Sequence, residues 1–120
     1  MKKTALILIA LMLLGAMAAS ALATDTTVKG YLVDRACASE DANNPGFGAK
    51  HTKNCLQMPN CEKSGYAVLT EDNKVITLDY NGNVQAKKFI AALTKNNDIR
   101  VIVTGTMNGG EIIVSKIELQ

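Results

Sequence analysis

The stretch from Cys37 to Cys61 constrains this 120-residue chain more than any other. It holds all three cysteines and the single histidine, His51. It also falls in the one long run, Arg35 to Ser64, where hydrophobic periodicity fails. A connection of that length without regular structure is unusual in a compact domain and tends to be functional or disordered. The clustered Cys and His argue against simple disorder. Inside it, Asn43-Asn44-Pro45-Gly46 is a strong turn signal. Ala49 to Leu56 can make one or two helical turns, ended by Met58-Pro59.

The first residues have the pattern of a secretory leader. Lys2 and Lys3 form a basic start, Leu6 to Ala19 is apolar and uncharged, and Ala21-Leu22-Ala23 is a small-residue cleavage site. The expected organisation is a signal peptide over 1–23 and one domain over 24–120, with a Cys/His loop at 35–64. The apolar run is too short and too quickly ended by small residues for a membrane anchor. The chain is thus expected to be periplasmic or secreted. Lys2 and Lys3 account for the formal net charge of +2. The remainder is close to neutral, so no basic field is left to attract nucleic acid or anionic lipid.

Strand patterns flank the non-periodic run. Val28 to Asp34 is β-branched and aromatic, with Val28 and Leu32 on one face and Gly30 between them. Glycine in a strand marks a bulge, a tight coil or the close approach of another backbone. Tyr66–Thr70 and Val75–Asp79 make a hairpin across a short polar connection. Asn81-Gly82-Asn83 is a turn able to cap a helix, and Ala86, Phe89, Ile90 and Leu93 recur at helical spacing. Lys87, Lys88 and Lys95 lie off that apolar face as its solvated side. Ile99–Thr106 and Glu111–Leu119 form a second hairpin around the turn Met107-Asn108-Gly109-Gly110.

The order predicts a mainly β domain with one helix: a five-stranded OB-fold-like barrel (β-β-β-α-β-β) with the long Cys/His loop between strands 1 and 2. The alternative is an open α+β sheet with the helix on one face. Closure is favoured because it removes exposed edges and because Gly30 would ease the coiling it needs.

Short motifs run through the same elements. Gly30 is followed by Asp34, Ala36 and Cys37; His51, Cys55 and Cys61 precede Gly65; and Val103 to Thr106 reads V-T-G-T. In these the chain resembles a group of small exported bacterial proteins of uncharacterised function with an OB-fold-like domain. The resemblance covers most of the chain beyond the leader. It implies a Cys/His site on an OB scaffold and supplies no activity.

Cys37, His51, Cys55 and Cys61 together are a tetrahedral ligand set of the type that suits zinc, with copper or iron as alternatives. On a helical segment, His51 and Cys55 would face the same way. Met58 adds a thioether nearby, more simply a gap-filler than a ligand. An oxidising compartment equally suits a disulfide with one free thiol, and three cysteines allow three pairings. The loop would then be a stapled surface for a protein or envelope partner. The third reading is a thiol or redox enzyme, with His51 beside one cysteine and Asp34 or Glu62 as orienter. No C-x-x-C pair and no C-x-x-C-H haem motif supports that chemistry. Tyr31, Tyr66 and Tyr80 could stack bases in an OB groove, but without a basic groove or tryptophan they are expected to pack at the rim. The sequence therefore points to a non-enzymatic domain that binds a metal ion, with the disulfide module as its rival.

Overall fold

The computed structural model describes residues 25–120. The expected leader, 1–23, lies outside them. Five strands are formed: β1 (Thr26–Asp34), β2 (Tyr66–Thr70), β3 (Val75–Leu78), β4 (Arg100–Asn108) and β5 (Glu111–Leu119). Four short helices separate β1 from β2: α1 (Arg35–Asp41), α2 (Phe47–Lys50), α3 (Lys53–Leu56) and α4 (Pro59–Ser64). The longest helix among the described residues, α5 (Tyr80–Ala91), joins β3 to β4.

Strand β1 serves two neighbours. Its first half pairs antiparallel with β4, placing Val28 opposite Val103, and its second half with β2, placing Leu32 opposite Val68. Gly30 and Tyr31 lie where the two ladders overlap. A side chain at Gly30 would overlap the carbonyl oxygen of Leu69, so the strand can coil there only with glycine. β3 is antiparallel to β2 but parallel to β5, through Thr77 with Glu111 and Leu78 with Ile112. The pairings run β1-β2-β3-β5-β4 and return from β4 to β1.

Alternation along the strands sends Leu32, Val68, Val101, Val103, Ile112 and Val114 inward. There they meet Ala86 and Ile90 of α5 and Leu56 of α3. A smaller cluster covers the other face, where Val33, Ala67 and Leu69 pack under Ala38, Phe47 and Tyr31. The helical segment between β1 and β2 thus contributes to both cores. Tyr66, 2% exposed, fastens it from below by donating its hydroxyl to the Leu56 carbonyl at 2.7 Å. Lys53 fastens it to the end of α5, donating its ammonium to the Leu93 carbonyl at 2.6 Å.

The expected mainly β, OB-fold-like barrel with one helix is corrected. The domain is α+β: a mixed five-stranded sheet with five short helices, about 34% helix and 38% strand. The miss lies in 35–64, which is helical rather than a loop; within it only the turns expected over Ala49 to Leu56 are met in part, by α2 and α3. Helices of four to seven residues are too short to display a 3.6-residue period. They are set instead by individual caps: Asp34 accepts from the Cys37 amide, Thr52 from the Cys55 amide, and Pro59 opens α4. Of the alternative, an open α+β sheet, the α+β class holds, while the sheet is not open, because the strand order β1-β2-β3-β5-β4 returns from β4 to β1. The Asn81-Gly82-Asn83 turn is also corrected. Asp79 caps α5, its carboxylate accepting from the Gly82 amide at 2.9 Å and from the Val114 amide of β5 at 3.0 Å.

Candidate metal centre

Asp34 ends β1 and begins α1, and both roles meet in one carboxylate. Its Oδ2 accepts from the Cys37 amide at 2.9 Å, the usual N-cap bond. That turn brings Cys37 back beside the carboxylate. Its Oδ1 lies 2.6 Å from Nε2 of His51. Asp34 is fully buried and His51 is 7% exposed.

His51 is delivered by α2. It follows the last residue of that helix and donates its amide to the Phe47 carbonyl at 2.9 Å. Its ring rests against the Phe47 ring, centroids 5.0 Å apart. Gly48 makes the approach possible, because a side chain there would overlap the Tyr31 ring on β1. Tyr31 is held in turn by the Arg100 guanidinium, 5.2 Å from its ring centroid.

Asp34, Cys37 and His51 each offer a donor atom, and these three atoms lie within 4.8 Å of one another. The group could hold a metal ion. Of the expected set Cys37, His51, Cys55 and Cys61, this group contains Cys37 and His51. Cys61, on α4, is buried and stands outside the three converging donors, though close enough for Asp34 and Cys37 to act on its thiol. Cys55, on α3, stands outside the group. Asp34 is the donor that the expected ligand set lacked. Its signal was a carboxylate three residues before Cys37, the spacing of a helix cap. Met58 is 49% exposed. No disulfide of the alternative expectation is formed: all three cysteines are free.

The electrostatics follow from the packing. Burial raises the Asp34 carboxyl, but the Cys37 amide bond and the hydrogen bond and charge of His51 outweigh it, so the net shift is downward. Burial first, then the Asp34 charge, pushes the Cys37 thiol up to about 12. The same two causes raise Cys61, and burial ahead of the Glu62 charge raises the Tyr66 phenol to about 12. Each of these three groups binds its proton more tightly folded than unfolded. Stability is therefore expected to be unaffected up to about pH 8 and to fall from about pH 9, where unfolded thiols ionise and the folded ones do not. Melting temperatures between pH 7 and 11 check this. A flat profile to pH 11 would contradict the packing of the thiols against Asp34.

No family model, curated protein or solved structure matches the chain. The functional reading therefore rests on the residues themselves. Among the described residues, no helix is long and apolar enough to cross a membrane.

Proposed function

We propose that this chain is an exported, non-enzymatic domain that binds one zinc ion through Asp34, Cys37 and His51, with Cys61 as fourth donor. The observation that carries the proposal is the convergence of the first three donor atoms within 4.8 Å. Sulfur, nitrogen and oxygen in one small, largely buried group suit zinc, or copper or iron, rather than calcium or magnesium. Export is supported by the leader pattern at 1–23.

Tetrahedral zinc with bonds of about 2.0 Å separates its donor atoms by roughly 3.3 Å. The 2.6 Å contact between His51 and Asp34 is a short hydrogen bond. A zinc ion held by both would take the place of its proton, with the pair opening by roughly 0.7 Å to admit it. Thiol protons leave as well, so binding is expected to weaken with acid. The raised Cys37 pKa does not suit a nucleophilic thiol, and a metal ion would have to draw the same proton off to bind. A divalent cation beside Asp34 reverses the local charge and yields the thiolate.

A second reading has its own observation. Asp34 and His51 already satisfy each other, and among the described residues no buried side-chain nitrogen or oxygen lacks a partner. The pair would then be a latch between β1 and α2 and nothing more. Elemental analysis of protein purified without added metal, followed by zinc titration against a chromogenic chelator, separates the two. The metal reading expects one zinc per chain. It expects affinity to fall by at least about tenfold in both Cys37→Ala and His51→Ala, since even outer-shell changes at zinc sites have effects of that size. Absence of zinc, with none taken up at micromolar concentration, would leave the latch.

A further inference from the structure

We infer that oxidation by a peroxide releases the ion, joining Cys37 to Cys61 as a disulfide. This rests on the zinc reading above and adds its regulation.

The backbones that carry the two cysteines are tied through one oxygen. The Ser64 hydroxyl donates to the Cys61 carbonyl at 2.6 Å and accepts from the Ala36 amide, one residue before Cys37, at 3.2 Å. The Arg35 amide adds a bond to the Gly65 carbonyl at 2.9 Å. The start of α1 therefore runs against the end of α4, which places Cys37 and Cys61 on adjoining helices. Cys55 sits on a separate helix, α3, and does not share this arrangement. The two sulfurs also differ in access. Cys37 is half-buried, within reach of a solute as small as hydrogen peroxide, while Cys61 is buried behind it.

That asymmetry assigns the roles. The Cys37 thiolate attacks one peroxide oxygen, the O–O bond breaks, and the departing hydroxide takes a proton to become water. The resulting sulfenic acid faces Cys61. The Cys61 thiolate attacks its sulfur, the S–S bond forms, and the second hydroxide leaves and is protonated to water. Two thiolates lose two electrons, one peroxide gains them, and two protons are consumed. Only Asp34 and His51 remain as donors, too few for a stable zinc site.

The test loads full-length protein with zinc, records the stoichiometry, and then adds hydrogen peroxide in the presence of the chromogenic chelator. The expected result is one zinc released per chain, a mass lower by about two daltons than the reduced form, and a Cys37–Cys61 cross-linked peptide after digestion. Cys55→Ser is expected to release zinc at a rate within about twofold of the native chain. Cys61→Ser is expected to give no cross-link and to take up oxygen at Cys37 instead. Release without a disulfide, retention of zinc after the disulfide forms, or a cross-link to Cys55 would each overturn the inference while leaving zinc binding in place. Failure to load zinc, read before any peroxide is added, would overturn the metal reading and this inference with it.

Discussion

Asp34→Ala is expected to lower the free energy of unfolding by about 2–4 kcal/mol. The carboxylate does two things, and alanine removes both. Loss of an N-cap costs about 1 kcal/mol, here through the Cys37 amide. Stranding a buried donor costs about 1–3 kcal/mol more, here Nε2 of His51. The two losses share one side chain and so need not add fully. Asp34→Asn retains an oxygen for the Cys37 amide, so roughly half the effect is expected from it. Urea denaturation reads the difference as a shift in midpoint at constant slope. The Asp34 carboxyl is shifted downward in the folded chain, so its stabilisation is present above the unfolded value of about 3.9 and fades as pH falls below it. The alanine variant should accordingly lose part of the acid dependence below pH 4. An effect under about 1 kcal/mol would mean that β1, α1 and α2 are not joined through this residue.

The second large effect belongs to Gly30→Ala, expected to cost about 2–3 kcal/mol, near the top of the range for overpacking. The added methyl would meet the Leu69 carbonyl rather than the end of a flexible side chain, so β1 and β2 themselves must part. They part where β1 also holds β4. The loss should therefore appear in both ladders, as faster amide exchange at β2 and at β4. Thermal unfolding measures its size. A variant as stable as the native chain would show that the coil of β1 does not depend on glycine.

Much of the sheet was legible because a strand needs few residues to show a period of two. Tyr66–Thr70 and Glu111–Leu119 have the bounds expected of them, and Gly30 behaves as an in-strand glycine should. The apolar face of α5 was legible for the same kind of reason, since Ala86 and Ile90 recur at helical spacing. What failed was the segment from Arg35 to Ser64. Its helices carry one buried residue each, namely Ala38, Gly48, Leu56 and Cys61, and one residue has no period. Their signals are local caps, which carry no period.

The site divides in the same way. Cys37 and His51 could be singled out by chemical type, and the structure brings them together. Asp34 was considered only as an orienter for a nucleophile. Its importance depends on standing at the end of a strand and the start of a helix at once, and that junction was hidden once the segment was taken for a loop. The separation of Cys55 from the donors likewise depends on which short helix carries it, a fact of packing that spacing does not contain.

Those four helices, each pinned by a single buried residue, carry a consequence of their own. A unit with so little apolar anchorage can open while the sheet beneath it stays folded. Its polar ties to the rest are Tyr66 to Leu56, Lys53 to Leu93 and Asn96, Asp98 to Ala49, Asn73 to Asn43, Lys87 to Glu62, and Asp34 to His51. Such partial opening would give a buried centre an entrance that the closed shape does not display. Its frequency would be set by those ties, so the residues that shut the centre would also decide how fast anything reaches it.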